Sequence, residues 1–226
     1  MAHLIRGKNY EKNKSKVLHT VAKLFLAQGY HQTTLRQIAQ ESGVAYSSLV
    51  NIFGSKEGIL AELVSLVLEW QFLKAEELTR GKTEDKILFY AAETVLQLHM
   101  AESHEHIREM YAVSYSLPET SQRIYGTVTR KLQDIFGTHL PHFKPADFYC
   151  FELASGGIMR SFMTVPCDMF FSMESKIRAF LQATLRIWLV PEEKIGQAIE
   201  FVSEFDFAST AQEVIESMLG YLNSQT

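Results

Sequence analysis

The amino-acid sequence predicts an all-α fold, with a small amino-terminal three-helix unit followed by a larger helical domain. Apolar residues recur at helical spacing in successive windows, and no window sustains the alternation of a strand. The windows are separated by helix-stopping clusters such as Ser42-Gly43 and Arg80-Gly81-Lys82-Thr83. The charge is also divided unevenly. Residues 1–60 carry eight Lys and Arg against three Glu, a net +5, whereas the remainder carries −9 in a chain of net charge −4. With 226 residues, 46% of them apolar and 21% charged, there is material for a sizeable core. The punctuation divides the chain into domains at residues 1–56 and 57–226.

Residues 1 to about 12 read as an arm. The first helix is predicted from Asn13 to Gln28, with Val17, Val21, Leu24 and Phe25 on one face and Gly29 ending it. Thr33 or Thr34 then caps a short helix whose apolar stripe is Leu35, Ile38 and Ala39. Gly43 allows the chain to turn sharply, and Val44, Leu49, Ile52 and Phe53 begin the next apolar set. Two short helices joined so tightly make a helix-turn-helix, whose second helix enters the DNA major groove. With Leu49, Ile52 and Phe53 buried, Ser47, Val50 and Asn51 share the opposite face and read bases. The basic balance of this segment suits phosphate contact, where released counterions supply affinity without regard to sequence.

Ser55 is placed to cap a helix from Lys56 to about Thr79. Further helices are predicted at about 84–101, 103–115, 118–138, 145–164, 172–189, 192–204 and 209–223. Ser103 is the expected cap of the second of these. Pro118, Pro145 and Pro191 occupy first-turn positions, and Pro166 stops its helix.

The block around Leu24-Phe25, Gly29-Tyr30, Thr33-Thr34, Arg36, Ile38-Ala39, Gly43-Val44, Leu49 and Phe53 with Ser55-Lys56-Glu57 resembles the DNA-binding domain of the tetracycline-repressor (TetR) family of bacterial transcriptional regulators. The resemblance implies that Lys14, Lys16, Thr34, Arg36, Tyr46, Ser47, Ser48, Val50, Asn51 and Lys56 face DNA. The chain departs from the family pattern at Ala45, Val50, Asn51 and Ile52, where members often carry a hydroxyl residue, tyrosine, histidine and another aromatic. Tyr46, Ser47 and Ser48 offer hydroxyls instead, and Asn51 suits a bidentate pair with adenine.

The resemblance further implies a homodimer and a regulatory domain that binds a small-molecule effector. Its interface helices correspond to segments 145–164 and 173–189, with small residues Ala154, Ser155, Gly156 and Gly157 allowing close approach. The run Gly156-Gly157 alternatively loosens a helix beside a pocket. A twofold operator requires two reading heads about 34–36 Å apart, which independently favours a dimer. The effector implied is hydrophobic, because aromatic and Met side chains are dense beyond residue 70. Trp70, Phe72, Tyr90, His99, Tyr111, Tyr115, Phe151, Glu152, Met159, Arg160 and Phe162 are its candidate contacts. Arg160 either extends to solvent or pairs with Glu152 or an anionic ligand.

Other chemistries find little support. The run His99 to His106 contains His and Glu, but His104 and His106 point apart and no thiol accompanies them, so neither a metal nor another cofactor is expected. Cys150 and Cys167 sit among apolar neighbours and read as buried free thiols. The sequence has no Gly-rich phosphate loop, nucleophile elbow or His-Glu-x-x-His signature, so an enzyme is not expected. No apolar run reaches spanning length without charge, and no leader pattern opens the chain, so a cytoplasmic protein without membrane contact is expected. The expected function is a regulator, a repressor released from its operator by ligand. The alternative is a DNA-binding adaptor or activator governed by a protein partner.

Overall fold

Eleven helices and no strand make up residues 2–225, the part described by the computed structural model, with side chains placed from Asn9 onward. They are α1 (Ala2–Gln32), α2 (Leu35–Ser42), α3 (Tyr46–Phe53), α4 (Lys56–Thr79), α5 (Lys86–Ser103), α6 (Glu105–Ser114), α7 (Pro118–Phe136), α8 (Pro145–Thr164), α9 (Met173–Ile187), α10 (Glu192–Val202) and α11 (Phe207–Ser224). The expected arm is corrected: α1 already begins at Ala2, because this segment contains no proline to stop a helix. Met1 lies outside the described residues. Gly29 breaks α1 near its end with φ 82° and ψ 167°, a conformation that strongly disfavours a side chain.

Two apolar cores form, and α4 contributes to both. In the first, Val17, Val21, Leu24 and Phe25 of α1 pack with Ile38, Val44, Leu49 and Phe53, and with Ile59, Leu60 and Leu63 of α4. Val113, Met218 and Leu222 belong to this core too. Helices α1, α2 and α3 are too few to bury their own apolar faces, so α4, α6 and α11 close them off. The second core fills the carboxy-terminal bundle around Trp188, which stacks on Phe136 with ring centroids 4.6 Å apart. The helix pairs α5/α11, α7/α8 and α8/α9 pack within it.

Local chemistry sets the element boundaries. Thr34 caps α2 by accepting from Gln37 N, Ser55 caps α4 by accepting from Gly58 N at 3.0 Å, and Asp85 caps α5. The expected Ser103 cap is corrected to His104, whose Nδ1 accepts from His106 N at 3.1 Å. Pro118 and Pro145 occupy first turns, whereas Pro191 is itself the residue preceding α10. The thiol expectation is also corrected: Cys167 is half-buried and Cys150 exposed, because Phe148 and Glu152 turn inward from α8 while Tyr149 and Cys150 face out. No described helix is long and apolar enough to cross a membrane.

Candidate nucleic-acid interface and effector cavity

The turn between α2 and α3 follows from Gly43, at φ 65°, which ends α2 in the left-handed conformation. Val44 then enters the core, and Leu49 and Phe53 bury the inner face of α3. Tyr46, Ser47 and Asn51 remain exposed on the other face, with Ser48 and Val50 half-buried beside them. Val50 packs partly on the first core, so its contribution outward is reduced. Ala45 provides no side-chain cap for α3, leaving the first N–H groups of that helix without a side-chain acceptor.

The basic residues divide into free and engaged. Arg36 is exposed and Lys16 half-buried. Lys14 pairs at 2.6 Å with Glu62, which also receives Arg123 at 2.8 Å, joining α1, α4 and α7. Lys56 turns inward: its ammonium donates to Tyr30 O and Thr33 O, each at 2.9 Å, and lies 4.0 Å from the Tyr30 ring centroid. Burial holds this ammonium below the usual lysine range, opposed by the charge of Glu109. Thr33 is wholly buried and donates to Gly29 O at 2.8 Å, so Lys56 fastens a junction that is already internally bonded.

Two adjoining lobes open inside the larger domain, sharing walls at Leu68, Gln97 and Tyr115. The larger is almost wholly apolar, bounded by Ala22 and Leu26 of α1, by Leu60, Leu63, Val64 and Val67 of α4, and by Met110, Tyr111 and Ser114 of α6. The smaller lies between α4, α5, α7 and α8, and it holds two carboxyl groups, Glu93 and Glu152. Burial pushes the Glu93 carboxyl up to about 7, with Gln71 and Lys131 acting in the opposite sense. Burial likewise pushes Glu152 up to about 8, opposed by Ser155 and reinforced by Glu93. The Gln71 amide donates to Glu93, Ser155 Oγ donates to Glu152 Oε2 at 3.0 Å, and the Tyr111 hydroxyl donates to Gln71 Oε1 at 3.2 Å.

Helix α6 connects this cavity to the reading head. Met110, Tyr111 and Ser114 face the larger lobe. From the same helix, Glu109 Oε1 accepts from His31 N at 3.0 Å, and His106 Nδ1 lies 2.8 Å from Leu26 O. A side chain at Gly29 would place its Cβ 2.1 Å from Glu109 Oε2, so it would displace the Glu109 carboxylate.

Residues 17–63, which include α2, α3 and most of the surface just described, match the amino-terminal domain of bacterial regulatory proteins of the tetR family. Over these residues the chain is similar to the TetR family. A stretch of 54 residues is 44% identical to the uncharacterized HTH-type transcriptional regulator YxaF of Bacillus subtilis (strain 168), covering 24% of this chain and 28% of that protein. Another of 65 residues is 32% identical to the HTH-type transcriptional repressor KstR2 of Mycobacterium tuberculosis, covering 29% and 32%. The chain thus spans less than a third of the length of these curated relatives. The fold likeness extends further. The crystal structure of RolR in complex with resorcinol superposes with a TM-score of 0.65 over 87% of this chain and 96% of that one, at 15% identity.

The larger lobe meets two of the eleven sequence-derived cavity candidates, Tyr111 and Tyr115, and the smaller meets Phe72, Tyr90, Tyr115, Glu152 and Met159. The other candidates lie outside both lobes. Trp70 packs on Tyr221, His99 stacks on Phe207, and Phe151 lies against Phe143 and Trp188. Phe162 lies against Phe171 and Phe180. Arg160 is exposed and donates to Ser116 Oγ at 3.1 Å, so it reaches neither Glu152 nor the cavity. Sequence reasoning missed Gln71, Glu93, Gln97 and Ser114. The signal was present: Glu93 and Gln97 are polar interruptions one helical turn apart in the apolar run Ile87–Ala101. Among the described residues no cluster suited to a metal ion forms.

Proposed function

We propose that this chain is a sequence-specific DNA-binding transcriptional regulator, a repressor released from its operator by a hydrophobic small molecule. Residues 1–56 act as the DNA-binding domain, and residues 57–226 bind effector and dimerise. Ser47 and Asn51 on the exposed face of α3 read base edges in the major groove, flanked by the hydroxyls of Tyr46 and Ser48. Thr34, Arg36 and Lys16 contact phosphate, and the uncapped start of α3 suits the same task.

One observation supports ligand control above the others: α6 lines the larger lobe with Met110, Tyr111 and Ser114 while Glu109 and His106 grip the end of α1. A ligand that displaces α6 therefore acts on the helix that braces the reading head. Only a ligand with different affinity for the two arrangements shifts the equilibrium. The homodimer we propose uses α8 and α9. The exposed residues Tyr149, Leu153, Ala154 and Gly157 lie on the outer face of α8, whereas Ser155 and Gly156 are buried beside the cavity. The protein works in the cytoplasm, where its operator is.

Gel-shift binding to the promoter of its own gene, with and without a panel of hydrophobic compounds, tests this reading. Release by one compound class supports the repressor. DNA binding indifferent to every compound supports the adaptor governed by a protein partner.

A further inference from the structure

The smaller lobe poses a chemical question that an apolar effector does not answer. Two carboxyl groups, Glu93 on α5 and Glu152 on α8, line one lobe, and both are almost wholly buried. Each accepts a hydrogen bond from one neighbour, Gln71 or Ser155, leaving further acceptor positions on both. Among the described residues, no lysine, arginine or histidine lines either lobe. Buried carboxyls without a cationic partner are costly when ionised. The aromatic side chains of Phe72, Tyr90 and Tyr115 line the same walls.

We propose that the effector is an amphipathic organic cation, whose amine or ammonium head sits between Glu93 and Glu152 while its apolar body fills the larger lobe. The inference rests on the effector-cavity reading above and adds the ligand's charge to it. Anionic amphiphiles gain no charge pairing from the same two side chains. Gly156 contributes room for the head, because a Cβ there would lie 3.1 Å from both Glu152 Oε1 and Tyr125 Cε1.

The groups facing these acids act in known senses. Tyr90, Tyr115 and Tyr125 surround Glu152, and their hydroxyls are held in the protonated form by burial. Gln71 and Tyr111 adjoin Glu93, and the Lys131 ammonium, which favours its ionised form, stands over the Phe72 ring outside the lobe. An entering cation stabilises both carboxylates, so its binding drives protons off them into solvent.

Calorimetric titration of the full chain with 4-phenylbutylamine, 4-phenylbutanol and 4-phenylbutanoate compares three heads on one body. The amine is expected to bind about tenfold or more tightly than the alcohol, as for a hydrogen bond to a charged group, and the carboxylate weakest. In Glu93→Gln, Glu152→Gln and the double variant the amine-to-alcohol ratio should fall towards one. In the unaltered protein near neutral pH, amine binding should release protons, seen as different heats in two buffers of unlike ionisation enthalpy. That readout does not depend on the variants folding. Equal or tighter binding of alcohol or carboxylate, a ratio that survives in a folded double variant, or equal heats in both buffers overturns the inference and leaves the cavity reading standing. Absence of binding by all three probes overturns both.

Discussion

The Glu109 carboxylate on α6 accepts a hydrogen bond from the backbone N–H of His31 at 3.0 Å, and its second oxygen occupies the space that a side chain at Gly29 would need. This contact ties a wall of the cavity to the end of α1. Gly29→Ala should therefore fail twice, by straining a residue held at φ 82° and by pushing Glu109 off His31. A loss of about 1–2 kcal/mol is expected from the backbone alone. Denaturant unfolding measures it, and Glu109→Ala should reproduce the weakened ligand response in operator binding without the backbone strain.

Lys56 separates stability from DNA contact. Sequence reasoning predicts that Lys56→Ala weakens all DNA binding alike and lowers the salt slope. The structure engages this ammonium with two carbonyls, so the variant should lose about 1–3 kcal/mol of stability. Arg36 is exposed on α2. Its replacement by Ala should lower the magnitude of the salt slope by about one while leaving the unfolding midpoint in place. Measuring both quantities for both variants distinguishes the roles.

The raised carboxyl of Glu152 has a defined consequence for stability. Its folded value, about 8, exceeds the ordinary carboxylate value of 4.5, so the native state binds the extra proton. Stability is full below the ordinary value and is lost as pH rises through the folded one. Glu152→Gln removes this ionisation and should raise the free energy of unfolding at pH 8.5 relative to the unaltered chain, by an amount on the order of a few kcal/mol. The two proteins should converge near pH 4, where the carboxyl is protonated whether folded or not.

The helices were legible because their signals are local. Ser55 caps α4, Gly43 closes α2, and the apolar spacing of Val17, Val21, Leu24 and Phe25 marks the buried face of α1. The exposed face of α3 was legible for the same reason, since burial of Leu49 and Phe53 dictates where Ser47 and Asn51 point. The cavity was only half legible. An aromatic at helical spacing packs equally well in a core or on a cavity wall, and only the relative placement of distant helices decides. Trp70 and Phe162 went to the core, Tyr111 and Tyr115 to the wall. The inward turn of Lys56 was illegible because its partners, Tyr30 and Thr33, are backbone carbonyls, which residue type does not reveal.

Selection of bound duplexes from a random-sequence pool, performed with the unaltered protein and with Asn51→Ala, tests the central claim most directly. The account predicts enrichment of two inverted half-sites whose centres lie one helical turn, about 10–10.5 base pairs, or a multiple of it apart. It also predicts that Asn51→Ala loses preference at one base pair in each half-site, a discrimination of about 1–3 kcal/mol. A pool with no enriched sequence, or an identical motif from the variant, would contradict it.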